Sequence, residues 1–302
     1  MLLKIAPLVV LLGVTVPAWA IAPARPGSLN YMEGQATLEG RPLDSKSIGT
    51  AELNAGQVLA TQQGKAEMLL TPGAFLRLDR DSAVRMVSPG LTDTAVTVLR
   101  GRAMVEVTDL KKENALRIVE PNAQIALVKN GLYEIDADQQ RVRVFDGKAV
   151  VTENDQKVDL KKGHSTSIGA PLVSQKFNTD SAKDDLYNWS KLRSEYLSEA
   201  SAQTAQLYVS QPGWIGSGWY WNPYFGGYSF LPGDPFLYSP FGFGFYSPRY
   251  FYGGPSFYYR PRVYTGRSYG VAPSRGFHSY GGARGGFSGG VRSYGGMRGS
   301  RR

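Results

Sequence analysis

Short runs in which apolar and polar side chains alternate, broken at intervals by glycine, fill residues 28–170. A period of two puts successive side chains on opposite faces of an extended chain, so the pattern predicts strands with one buried face. The runs are 66–70, 75–78, 84–87, 96–99, 103–107, 116–119, 125–128, 132–135, 141–145, 148–151 and 158–160. Asn130-Gly131 and Asp146-Gly147 separate neighbouring runs and tolerate positive φ, so each predicts a tight hairpin. With no long helical pattern among them, the expectation is an all-β domain of serial hairpins, stacked as a sandwich, a roll or a solenoid-like array.

A weak unit recurs in this stretch: Gly34-Gln35-Ala36, Gly64-Lys65-Ala66, Gly101-Arg102-Ala103 and Gly147-Lys148-Ala149. Glycine is expected to take a left-handed turn that opens a strand, with alanine pointing inward and the long polar residue toward water. Gly131, Gly147 and Gly163 also recur at a regular interval, which suggests hairpins in series.

After the β domain the period changes. Leu186, Trp189, Leu192, Tyr196 and Ala200 recur at spacings of three and four, which predicts one amphipathic helix over 180–209. Acids near Asp180 suit its first turn, and Pro212-Gly213 ends it. The helix either packs on the β domain or receives a partner, and Lys191, Arg193, Glu195 and Glu199 are expected on its solvated faces.

Composition changes the picture only beyond Gln211. Of the chain's 36 aromatic residues 26 lie in 212–302, with ten arginines, no lysine and the single acid Asp234. That segment carries the whole net charge of +9, because residues 1–211 balance. Its first part, 212–264, is rich in aromatic residues, Gly and Pro; it either folds back over the β domain and helix or remains loose. The second part, 265–302, is Gly, Arg and Ser in low-complexity order, which is expected to be disordered because it has too little apolar area to offset the entropy of ordering. Arg284, Arg292, Arg298, Arg301 and Arg302, with Trp219 and Trp221, are the candidate partner- or anion-binding residues.

The first residues are read apart from the fold. Lys4 supplies a positive charge, 5–16 are apolar, and Pro17-Ala18-Trp19-Ala20 places small residues at a cleavage site. The stretch is shorter than the roughly 20 apolar residues that span a bilayer, so residues 1–20 predict a secretory signal peptide cut after Ala20. Retention as an anchor, or a cut after Ala22, is the alternative. No later segment approaches a membrane span. The expected location is therefore exported, periplasmic or associated with the cell envelope. That setting favours an envelope protein or an anionic envelope polymer over nucleic acid as partner.

Catalytic chemistry finds little material. Without cysteine there is no thiol nucleophile or thiolate metal site, and only His164 and His278 offer imidazole. His164 and Ser165 are neighbours on a predicted strand and point to opposite faces, so they do not form a dyad. Asp79, Asp81, Asp136 and Asp138 lack the spacing of a ligand set and are expected as solvated edge charges. The chain is read as a non-enzyme with no cofactor and no metal.

Several segments, in order, resemble the FecR-like domain of bacterial envelope proteins. Leu53-Asn54-Ala55-Gly56-Gln57-Val58-Leu59-Ala60-Thr61 is similar to that family's opening motif, with Gln57 where Asp is usual. Ala66 to Leu70, Gly73 to Leu78 and Val98 to Val107 resemble the strands that follow. Asp146 to Val151 and Leu160-Lys161-Lys162-Gly163-His164 resemble its closing motifs, whereas Asn130-Gly131-Leu132-Tyr133-Glu134 keeps the turn but lacks the usual Thr. The resemblance runs from near Tyr31 to Ile168. Regulators of this family carry a cytoplasmic anti-sigma segment and a membrane helix before the β domain. Neither is recognised ahead of the leader here, so the resemblance implies a stand-alone exported relative used for binding, a component of FecR-type envelope signalling, or a structural protein self-associating through its tail.

Overall fold

In the computed structural model, which describes residues 23–210 and 213–252, the alternating runs form two large sheets packed face to face. The first strands are β1 (Leu29–Glu33), β2 (Ala36–Leu38), β3 (Arg41–Pro42), β4 (Val58–Thr61), β5 (Lys65–Leu69), β6 (Ala74–Leu78), β7 (Ala83–Pro89) and β8 (Asp93–Arg100). They are followed by β9 (Arg102–Val107), β10 (Ala115–Val119), β11 (Ala123–Leu127), β12 (Gly131–Asp136), β13 (Arg141–Asp146), β14 (Lys148–Glu153), β15 (Gln156–Lys161), β16 (His164–Ser167) and β17 (Gln175–Lys176). One sheet has eight strands in the order β1-β5-β6-β9-β12-β13-β16-β17; the other has nine, β15-β14-β11-β10-β8-β7-β4-β2-β3. Pairing is antiparallel except between β8 and β10. Leu76, Val105 and Val142 of the first sheet meet Ile118, Ile125 and Val151 of the second in the core. Of the three stackings compatible with the sequence, this is the sandwich.

The glycine turns differ from expectation in an instructive way. Asn130-Gly131 leads from β11 to β12 and Asp146-Gly147 from β13 to β14, and in both cases the two strands belong to different sheets. These are crossings between layers, not hairpins. The same holds at Gly34, Gly64 and Gly101, so every copy of the recurring unit marks a change of sheet. Crossings pack in pairs, which is what requires glycine: a Cβ on Gly131 would lie 2.8 Å from Gly147 Cα, and one on Gly147 would lie 2.6 Å from the Asn130 carbonyl. Gly147 also holds φ at +92°. Beneath this pair the Tyr133 hydroxyl donates to the Lys129 carbonyl at 2.5 Å and accepts from the Lys148 amide at 3.2 Å.

The alanines of the unit, Ala36, Ala66, Ala103 and Ala149, are buried as expected. Lys65 is not in water. It is buried, and its ammonium donates to Asp185 at 2.7 Å, because a third layer covers the outer face of the eight-stranded sheet. That layer begins with helix α1 (Asp185–Ser210) and continues through β18 (Gly218–Asn222), β19 (Gly227–Leu231), β20 (Phe236–Tyr238), β21 (Gly244–Tyr246) and α2 (Pro248–Tyr252). Two antiparallel hairpins, β18 with β19 and β20 with β21, organise the aromatic stretch.

The helix therefore packs on its own β domain, and residues 213–252 fold back with it. Phe75 and Leu69 on the sheet meet Leu197, Tyr228, Phe230 and Phe245, while Met104, Leu132 and Phe145 meet Leu186 and Trp189. Asp184 caps the helix, its carboxylate accepting from the Tyr187 amide at 3.1 Å, whereas Asp180 pairs with Lys183. Among the described residues nothing covers the outer face of the opposite sheet, where Arg85, Gln124, Thr152 and Lys157 are exposed. No helix among the described residues is long and apolar enough to cross a membrane.

Candidate functional site

Side chains on the outer face of the eight-stranded sheet line up across strands. The register places Tyr31 opposite Glu67, Glu67 opposite Arg77, Arg77 opposite Met104, Met104 opposite Glu134 and Glu134 opposite Arg143. Charges of opposite sign thus alternate along a row that the helix covers. Arg77 is the hub: its Nε donates to Glu67 at 2.8 Å and its Nη1 to Glu106 at 2.6 Å, with all three side chains buried. From α1, Arg193 donates to Glu67 at 2.9 Å and lies 3.8 Å over the Tyr31 ring, and Ser194 donates to Glu106 at 2.7 Å. Asn30 adds a donor to Glu67 at 3.0 Å and binds the Tyr228 backbone on both its N–H and its carbonyl.

The two carboxylates differ because their partners differ. Burial alone raises a carboxyl, but Arg193 and Arg77 together outweigh it at Glu67 and hold that group at about 2. Glu106 has one arginine and one hydroxyl, burial dominates, and its carboxyl is raised. At the margin of the row, Arg102 donates to both Asp79 and Asp184, and Arg143 to Glu134 at 2.7 Å.

These positions correct the expected exposure of several charges. Arg193 is buried, whereas Leu192 and Tyr196 of the apolar stripe are 44% and 46% exposed. The helix turns this way because the surface it meets carries Glu67 and Glu106, so the Arg193 guanidinium and the Ser194 hydroxyl face the sheet, while Ser201 and Thr204 meet Tyr246 of β21 and Asn222 of β18. Asp79 and Asp136 are likewise buried rather than solvated, Asp136 lying 3.5 Å from Arg141. Asp81 stays exposed, and Asp138 accepts from the Gly101 amide at 2.9 Å.

The predicted partner-binding residues fall in two groups. Trp219 and Trp221 are half-buried and turned into the molecule: Trp219 stands edge-on to Phe75 at 5.0 Å, and Trp221 to Tyr228 at 5.2 Å. Ala20 and Arg284, Arg292, Arg298, Arg301 and Arg302 lie outside the described residues. His164, on β16, holds its Nδ1 3.1 Å from the Lys162 carbonyl.

Rings not singled out in the sequence form an exposed aromatic cluster. Phe236 contacts Tyr238 at 5.5 Å and Tyr250 at 5.9 Å between centroids, and Tyr250 contacts Phe251 at 5.1 Å. Tyr238 and Tyr252 are 66% and 65% exposed. Composition locates the aromatic stretch, but only the β20–β21 hairpin and α2 decide which rings turn outward. A separate cavity of about 230 Å³ opens at one end of the sandwich, between the two sheets, beside Glu120, Asp136, Arg141 and Glu153.

The model of the FecR protein family matches residues 56–150, from the turn before β4 into β14. Residues 56–150 of the sandwich thus match a FecR domain, in agreement with the motif resemblance. Two crystal structures of a candidate anti-sigma factor from Parabacteroides distasonis are similar in part. One is 14% identical with a TM-score of 0.37, covering 42% of this chain and 62% of that one. The other is 12% identical with a TM-score of 0.35, covering 58% of this chain and 84% of that one. No curated protein matches the chain.

Proposed function

We propose that the protein is a non-catalytic, exported binding module in which a third layer packed on the FecR-like sandwich displays an aromatic surface to a partner in the cell envelope. The observation that carries this reading is the exposed ring cluster of Phe236, Tyr238 and Tyr250 on the third layer, with exposed Tyr252 following on α2. Exposed clusters of large apolar side chains mark interaction surfaces, and tyrosine in particular supplies ring area with a polar edge. The leader-like first twenty residues support export, and the +9 charge carried by 212–302 supports an anionic polymer or acidic protein as partner. Poverty in histidine and absence of cysteine support a role without covalent chemistry.

The test is cell fractionation of the full chain followed by pull-down, with the wild type beside a variant carrying F236S, Y238S, Y250S and Y252S. Envelope retention by the wild type and its loss in the folded variant are expected. Equal retention by both would remove the aromatic surface from the reading. A signalling role is the second reading and rests on the FecR match alone; it predicts that removing the protein alters transcription of envelope genes in the same cells.

A further inference from the structure

At the cavity end of the sandwich, the turn between β10 and β11 brings Glu120 to the inter-sheet opening while the start of β13 brings Arg141 from the other layer. We propose that this cavity binds a small aliphatic amine that also carries a hydrogen-bond-accepting oxygen, with Glu120 as counter-charge to the ammonium and Arg141 as donor to the oxygen.

The chemistry follows from what each lining group lacks. Three carboxylates and one guanidinium border the cavity, so its lining is net negative. Two of the carboxylates are occupied: Glu153 accepts the Gly169 amide at 2.8 Å, and Asp136 accepts the Gln139 amide at 2.9 Å and faces Arg141 at 3.5 Å. Glu120 has no cationic partner, and its Oε1 is buried without a hydrogen-bond partner among the described residues. Arg141 Nε is a buried donor in the same position. A buried acceptor and a buried donor left unmatched are unfavourable unless a guest completes them. An anion would meet the wrong charge, and the described residues bring together no set of three or more carboxylate or imidazole groups suited to a metal.

Size and shape narrow the guest further. About 230 Å³ holds several waters at roughly 30 Å³ each, or one molecule of about eight to ten heavy atoms. Leu99, Ile135 and Ile168, from both sides of the opening, give the cavity an apolar part that suits an aliphatic body. Burial raises the Glu120 carboxyl to about 7, with only the Val98 amide drawing it down. Asp136, Arg141 and Glu153 are the other titratable groups that line the cavity. Docking of an ammonium stabilises ionised Glu120, so binding and proton release are linked.

The experiment uses the full chain and two probes with the same isobutyl skeleton: leucinol, which has an ammonium and a hydroxyl, and isohexanol, which lacks the amine. Titration followed by NMR of methyl groups is expected to show saturable leucinol binding that shifts Leu99, Ile135 and Ile168, with no saturable response to isohexanol. Binding should tighten about tenfold between about pH 6 and about pH 8, as Glu120 ionises while the amine stays protonated. The E120Q variant should bind at least about tenfold more weakly. Equal binding of both probes, no saturable binding of leucinol, or unchanged affinity in E120Q would each overturn the proposal. Should E120Q fail to fold, the two probes on the wild type decide the matter alone. None of these residues belongs to the aromatic surface, so failure here leaves the envelope reading standing, and the reverse.

Discussion

Arg193 of α1 and Glu67 of β5, 126 positions apart, meet at 2.9 Å with both side chains buried. The pair belongs to a closed set of two arginines and two glutamates under the helix, so charge is balanced inside the interface. Breaking a buried pair from one side leaves an uncompensated charge, which typically costs about 3–5 kcal/mol. Arg193→Ala is therefore expected to destabilise the chain by roughly that amount, measured by urea unfolding. A loss below about 1 kcal/mol would mean that the helix docks through its apolar contacts alone.

The two carboxylates of the set predict unequal responses to neutral isosteres. Glu67, held at about 2, is favoured as an anion, and Glu106, raised by burial, is closer to accepting a proton. Glu67→Gln should lower the thermal midpoint more than Glu106→Gln. The sign with pH is fixed as well: because the folded value of Glu67 lies below its ordinary value of 4.5, its contribution is full above about pH 4.5 and fades as pH falls toward about 2. Glu106 acts in the opposite sense, losing its contribution as pH rises. Acid unfolding that is unaltered in Glu67→Gln would contradict this division.

The strands were legible because each alternates around a shared core, and Ala103, Val105 and Val107 face inward wherever their neighbours lie. What lies across a turn was not. Asp146-Gly147 has the residues of a hairpin, yet its two strands join different sheets, a choice made by pairing of β13 with β12 and of β14 with β11 far along the chain. Helix α1 shows the same limit. Apolar spacing selects Leu192 and Tyr196, whereas the buried face is set by Glu67 and Glu106, more than eighty positions upstream. A signal was present: Lys65, Glu67, Arg77, Arg102 and Glu106 are charged positions on strands whose other face is apolar. A helix with Arg193 and Ser194 on one side suits such a surface.

Glycine at the crossings can be tested by contrast. Gly147 holds φ at +92°, and an added Cβ would meet Asn130, Tyr133 and Gly131 at 2.5 to 3.0 Å. Gly163 holds φ at +74° but has only a Thr179 methyl at 4.0 Å. Gly163→Ala should cost about 1 kcal/mol from backbone strain, and Gly147→Ala clearly more, roughly 2 kcal/mol or above. Equal losses in chemical denaturation would show that close packing of the crossings does not matter.

The aromatic layer is part of the folded body, so its removal should be felt in the sandwich. Phe230 is fully buried against Phe75 and Leu69, 5.7 Å between ring centroids from Phe245. Phe230→Ala is expected to lose about 3–5 kcal/mol. A chain ending at Ser210 should lose more and bind a hydrophobic dye, since Phe75 and Leu69 would then face water. A sandwich that melts unchanged without this layer would separate the two.

Glu120 gives a pH dependence of opposite sign to that of Glu67. Its carboxyl is raised from 4.5 to about 7 by burial, with no cation beside it among the described residues, so the folded protein holds a proton that the unfolded chain releases. The folded state is therefore favoured by this group below about pH 4.5, and that contribution declines as pH rises through about 7. Gln at this position is neutral throughout and keeps the shape. Glu120→Gln should thus match the wild type near about pH 4 and exceed it in thermal midpoint near about pH 8. A saturating amine in the cavity should narrow the difference at the higher pH by stabilising the wild type more than the variant. If the two proteins instead keep the same midpoint across that range, the carboxyl of Glu120 is not held in the neutral form by its surroundings.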